Sequence, residues 1–108
     1  MEMALLHFSE EGFDKALATN SLMMVDFWAA WCGPCQRLGP VIEQIAEEYE
    51  DQDVIIGKVD VDQEPELARR FGVMNIPTVI FLKDGEELER KVGAMPMDEY
   101  TQFLDDNL

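Results

Sequence analysis

Trp31-Cys32-Gly33-Pro34-Cys35 holds both cysteines of the chain, with two residues between the thiols. Sulfurs placed so close can close into a disulfide and reopen while the fold stays put, which is the equipment for exchanging electrons with other disulfides. The segment falls where a strand is expected to end and a helix to begin. Backbone N–H groups of a first helical turn lack intrahelical acceptors, and with the helix dipole they favour a thiolate. The thiolate is the attacking species, so Cys32 is the candidate nucleophile. Cys35 lies one turn further in, on the same helix face and within disulfide reach; it is more shielded and suits the resolving role. Gly33 permits close approach by a substrate backbone, and Pro34 suits the first helical position. A zinc site would need about four ligands, and the remaining candidates are His7 and carboxylates far off in sequence, so redox chemistry is the stronger reading. Trp31, on the turn, is a candidate shield for the sulfur or a partner contact, whereas Trp28, inside the strand, reads as a core aromatic.

Strand and helix signals alternate around this turn. Met3 to His7 is a short apolar run, read as an edge strand. Ser9 can cap a helix to about Ala18, with Phe13, Ala16 and Leu17 on one face, and Thr19-Asn20-Ser21 breaks it. Leu22 to Ala29 is almost wholly apolar, as a central strand covered on both faces must be. From Pro34 to about Glu50 the spacing is helical, with Leu38, Val41, Ile42, Ile45 and Tyr49 facing inward and Pro40 expected to kink the helix. Asp53 to Val61 is the next strand. Glu64-Pro65-Glu66 opens a short helix that Gly72 stops. Pro77 to Leu82 and Glu87 to Val92 flank Lys83-Asp84-Gly85-Glu86, a hairpin signature. A last helix starts near Met97, with Tyr100, Phe103 and Leu104 on one side. The order β-α-β-α-β-α-β-β-α predicts parallel crossovers first and an antiparallel hairpin last, hence a mixed sheet between two helical layers.

Asp26 stands in the most apolar strand, Met23-Met24-Val25-Asp26-Phe27-Trp28. A carboxylate there loses solvation, so its proton affinity should rise. Lys58 stands similarly in Val54-Ile55-Ile56-Gly57-Lys58-Val59. With the two strands as neighbours, Asp26 and Lys58 would approach each other beneath the thiol turn, either as an ion pair or as a proton relay for Cys35.

The length of 108 residues fits one domain, and a 47% hydrophobic content argues against disorder. No apolar run approaches the roughly 20 residues of a membrane span, and the N-terminus lacks the basic stretch of a signal peptide, so a cytoplasmic location is expected. The 23 acidic against 8 basic side chains give a formal net charge of -15. That balance disfavours nucleic acid and anionic membranes as partners and suits a solvated surface, steering toward basic partners, or high salt.

Val25-Asp26-Phe27-Trp28-Ala29 running into Trp31-Cys32-Gly33-Pro34-Cys35, then Pro40, Lys58-Val59-Asp60, Ile76-Pro77-Thr78, Lys83-Asp84-Gly85 and Val92-Gly93-Ala94, resembles the thioredoxin family over essentially the full length. The resemblance implies one thioredoxin-fold domain over residues 1–108, a three-layer α/β/α sandwich with a central mixed five-stranded sheet and four helices. It implies a cis bond before Pro77 that faces the turn and presents the Ile76 backbone to an extended substrate segment. The family's docking surface maps onto Trp31, Gly33, Pro34, Ile76, Pro77, Val92, Gly93 and Ala94, its buried acid onto Asp26 and its basic neighbour onto Lys58. Gln36 departs from the family, which usually has Lys or Arg there. The implied activity is reduction of disulfides in target proteins: Cys32 forms a mixed disulfide and Cys35 resolves it. A flavin-containing thioredoxin reductase would supply electrons, and the chain itself would act as a monomer with no cofactor and no metal. The Gly-Pro pair between the cysteines resembles the reducing branch; an oxidase or isomerase more often has His there. The alternatives are such an isomerase, or a redox-independent binding module using the apolar rim around Trp31 and Ile76.

Overall fold

A computed structural model describes residues 5–108. The elements are β1 (Leu5–His7), α1 (Glu10–Leu17), β2 (Leu22–Trp28), α2 (Gly33–Glu48), β3 (Val54–Asp60), α3 (Pro65–Arg70), β4 (Thr78–Lys83), β5 (Glu86–Val92) and α4 (Met97–Asn107). The described strands form one sheet in the order β1-β3-β2-β4-β5. The pairs β1–β3 and β3–β2 are parallel, while β2–β4 and β4–β5 are antiparallel. This is the predicted mixed sheet, with β1 on its edge; the Met3 and Ala4 part of that strand lies outside the described residues.

The period of two in β2 explains the layers. Leu22 and Met24 join Leu38, Ile42 and Ile45 of α2 and Tyr100 and Leu104 of α4 in one core. Met23, Val25 and Phe27 join Phe13 of α1 and Leu67 of α3 in another. The sheet is therefore covered on both sides, in the three-layer arrangement anticipated. Asp26 shares the parity of Leu22 and Met24, so it points toward the α2 side.

Local chemistry sets the element ends. Ser9 caps α1, its Oγ accepting the Gly12 N–H at 3.1 Å. The tight turn Asp84-Gly85 has φ of 53° and 81°, the pair of positive values that a two-residue hairpin demands. β5 accordingly starts at Glu86, one residue earlier than predicted. β4 starts at Thr78 rather than at Pro77, which has no N–H to give a ladder. α2 stays helical across Pro40, which sits on its exposed side. Among the described residues no helix is long and apolar enough to cross a membrane.

Phe8 closes the core at the start of α1 by lying on Gly57 of β3. A Cβ built at Gly57 would overlap the Phe8 ring, which is itself buried and stacked edge-on against Phe13. Gly57→Ala is expected to destabilise the fold by about 1–3 kcal/mol through overpacking. A urea midpoint equal to that of the parent chain would show that the ring yields freely.

Candidate active site

Cys32 is the N-cap of α2, and its sulfur accepts the Cys35 backbone N–H at 3.2 Å. The sulfur thus occupies a position normally taken by a serine or aspartate oxygen, answering one of the unpaired N–H groups of the first turn. With Cys32 as the cap, Gly33 opens the helix one residue before the predicted start. Pro34 still costs nothing, because every N–H of that turn lacks an intrahelical acceptor. Cys32 and Cys35 are joined as a disulfide, their Cα atoms 5.2 Å apart. Both are buried, 5% and 2% exposed, so Cys35 is the more shielded by a narrow margin. Gln36 Nε2 donates to the Ala30 carbonyl at 2.7 Å and clips the turn to the helix it precedes.

The rest of the site comes from the same end of the sheet. Phe27 is in register with Thr78, and Thr78 with Val92. That pairing brings the residues before β4 and after β5 up to the end of β2, where the thiol turn begins. The Ile76–Pro77 peptide is cis, as the resemblance implied. The Ile76 carbonyl oxygen lies 3.8 Å from Cys32 Sγ. The Gly93 N–H donates to the Pro77 carbonyl at 2.8 Å. Trp31, Gly33, Pro34, Val92 and Ala94 are exposed, Ile76 and Gly93 half-buried, and Pro77 buried. Trp31 is 70% exposed, consistent with its place on the turn rather than in the core.

Trp28 departs from the plain core aromatic that its strand position suggested. It is half-buried, packs against the Cys32–Cys35 cluster, and carries the Lys58 ammonium 4.2 Å above its ring. Lys58 is the register neighbour of Asp26 on β3, as expected, yet no ion pair joins them. Its ammonium lies instead at a cleft of about 390 Å³ lined by His7, Phe8, Trp28, Asp60 and Glu64. Staying solvated there costs less than following the carboxylate inward. Asp26 is left 0% exposed with no hydrogen-bond partner on either oxygen. Burial pushes its carboxyl from 3.8 up to about 7, against the weaker opposing pull of Lys58.

Several residues that brace the site escaped the sequence reading. Asp62, just past β3, accepts the Trp31 indole N–H at 2.8 Å. Arg90 of β5 donates to the Phe71 carbonyl at 2.8 Å and is held by Glu87, so it ties down the loop that leads to Met74 and Ile76. Tyr100, predicted as core, also has its hydroxyl against the Gly93–Met95 segment: it accepts the Met95 N–H at 3.2 Å and donates to the Gly93 carbonyl at 3.4 Å. The Asp62–Trp31 and Arg90–Phe71 pairs have no local sequence signal, since each depends on which chain segments the topology places side by side; the Tyr100 contacts lie within seven residues but depend on the path of the segment that leads into α4.

The thioredoxin family profile matches residues 4–106. A thioredoxin of Staphylococcus haemolyticus is 41% identical over 106 residues, covering 98% of this chain and 100% of that one. A thioredoxin of Chlorobaculum thiosulfatiphilum is 42% identical over 94 residues, covering 87% of this chain and 86% of that one. Among solved structures, a mutant thioredoxin from Halobacterium salinarum superposes with a TM-score of 0.85 at 33% identity, over 98% of this chain and 93% of that one.

Proposed function

The chain belongs to the thioredoxin family and is a thiol-disulfide oxidoreductase that reduces disulfides in target proteins; from that premise we propose a division of labour among its residues. Cys32 is the attacking sulfur. The supporting observation is its place as the cap of α2, where the Cys35 N–H points at Sγ and the helix dipole adds to it, both favouring the sulfur anion over the thiol. The Cys32 thiolate attacks one sulfur of a target disulfide, joins it, and expels the other as a thiolate. Cys35 then attacks Cys32 Sγ, closing the Cys32–Cys35 disulfide and releasing the second target thiolate. The target gains two electrons and this dithiol loses them.

Asp26 is the group that accepts the Cys35 proton, being buried on the α2 side of β2 and titrating close to neutrality. Lys58 acts through Asp26, its positive charge favouring the carboxylate that can receive that proton. Trp31, Gly33, Pro34, Ile76, Val92, Gly93 and Ala94 form the docking surface, and buried Pro77 orients Ile76 against the sulfur. A flavin-containing reductase drawing on NADPH restores the dithiol. The chain works as a one-domain monomer in the cytoplasm.

An insulin reduction assay tests this reading. With dithiothreitol present, the chain is expected to bring on insulin precipitation well before dithiothreitol alone does. With a flavoprotein thioredoxin reductase replacing dithiothreitol, NADPH consumption is expected to depend on the chain. Precipitation no earlier than in the blank would refute the activity at this site.

A further inference from the structure

Trp31 is the large exposed aromatic beside the disulfide, and only its edge is committed. Its indole N–H is held by Asp62 Oδ2 at 2.8 Å, while the ring remains 70% exposed. Asp62 is itself exposed and pre-set: its backbone N–H donates to Asp60 Oδ1 at 2.9 Å, which orders the turn after β3. Its other carboxylate oxygen has no hydrogen-bond partner among the described residues. Asp60, Asp62 and Glu64 crowd this turn, and no described cation pairs with any of them. Lys15, Arg69, Arg70, Arg90 and Lys91 are each taken up by an acid elsewhere, Lys83 donates to the Asn107 carbonyl, and Lys58 lies on Trp28, sharing a cleft with Asp60 and Glu64 but not with Asp62. Arg37, near Gly33, is the cation on the α2 flank. One flank of the site therefore joins a free aromatic face to an uncompensated carboxylate.

That combination fits one kind of side chain. A guanidinium stacks on an indole face and pairs with a carboxylate at its edge; a lysine ammonium does the same less well. We propose that Trp31 and Asp62 form a subsite for a basic residue, arginine above all, flanking the attacked cysteine of the target, and that the chain selects basic target segments through it. The proposal rests on disulfide exchange at Cys32. The overall charge of -15 acts in the same direction by steering cationic segments inward, but it does so from every face, whereas the subsite acts at one residue.

The test uses three synthetic peptide disulfides that differ only in the residue beside the cysteine: Arg, Gln or Glu. The full chain and its Asp62→Asn variant are compared, because the Asn side-chain oxygen can still accept the indole N–H while the charge is gone. For the parent chain at low ionic strength, kcat/KM is expected to be about tenfold higher for the Arg peptide than for the Gln peptide, and lowest for the Glu peptide. Added salt is expected to shrink that ratio. In Asp62→Asn the Arg-to-Gln ratio is expected to fall below about twofold, whatever happens to the absolute rates. Equal rates for Arg and Gln peptides in the parent chain would overturn the subsite. So would an Asp62→Asn variant that slows all three peptides alike and keeps the ratio, since Asp62 would then only position Trp31. If the parent chain reduced none of the peptides, the exchange at Cys32 itself would fail, and the subsite with it.

Discussion

Cys35→Ser is expected to turn a catalyst into a covalent trap. The attacking sulfur, its cap position and the docking surface are untouched, so the first exchange proceeds: Cys32 joins one target sulfur and the other leaves. The second exchange needs a thiolate one helical turn behind, and a serine hydroxyl is far too basic to ionise there at neutral pH. The mixed disulfide should therefore accumulate to one target per chain, visible as a shifted band on a non-reducing gel and abolished by dithiothreitol. Steady turnover should fall on the order of 10³-fold or more, which corresponds to a barrier increase of ~4 kcal/mol. Cys32→Ser should lose turnover equally and capture nothing, because the cap position that favours a sulfur anion, with the Ile76 carbonyl facing it, belongs to Cys32, whereas Cys35 lies one turn inside α2. Capture by Cys32→Ser but not by Cys35→Ser would reverse the roles of the two sulfurs. Equal binding by both variants with no covalent species would describe a redox-independent binding module instead.

The disulfide pair and the cap position of Cys32 could be read from five consecutive residues because a strand end, a cap and a first helical turn are local events. The same holds for the Ser9 cap and the Asp84-Gly85 hairpin, where one or two residue types answer one backbone demand. The unbroken burial of Leu22 to Phe27 was legible for a related reason: a strand covered on both faces has no room for polar side chains, so Asp26 stood out. What was not legible is what depends on the order of strands. Asp62 meets Trp31 across 31 residues, and Arg90 meets Phe71 across 19. No spacing rule covers such pairs, since they exist only once β3 and β5 have taken their places. Lys58 shows the intermediate case. Its register with Asp26 followed from neighbouring strands, but the direction of a flexible four-carbon side chain did not; solvent at the cleft and the Trp28 face won over the buried carboxylate.

For Asp26→Asn, stability and rate are expected to move in opposite directions. The carboxyl titrates at about 7 when folded, against an ordinary value of 3.8. Between those values the folded protein holds a proton that the unfolded chain has lost. Stability of the parent chain should therefore fall as pH rises from about 4 to about 7 and level off above. The shift of about three units corresponds to a total loss on the order of 4 kcal/mol. An amide does not titrate, so Asp26→Asn should lack that slope. Its stability should match the parent near pH 3, where both side chains are neutral, and exceed it by a few kcal/mol at pH 8, as read from urea midpoints. The charged groups around Asp26 do not imitate this. Lys58 on β3 favours the carboxylate and opposes the shift, while Tyr100 of α4 is itself held above its usual range by burial, with Asp26 adding to it. Catalysis should suffer at the same pH, because Cys35 has lost its proton acceptor. Release of reduced target from the mixed disulfide is expected to slow by about 10–100-fold at pH 7, with capture by Cys32 much less affected. In the parent chain that release should rise with pH around a midpoint near 7, and in Asp26→Asn the midpoint should vanish. A variant that gains stability yet keeps both the rate and its midpoint would leave Asp26 as a buried charge without a part in the exchange, and would move the titration to Cys35 itself.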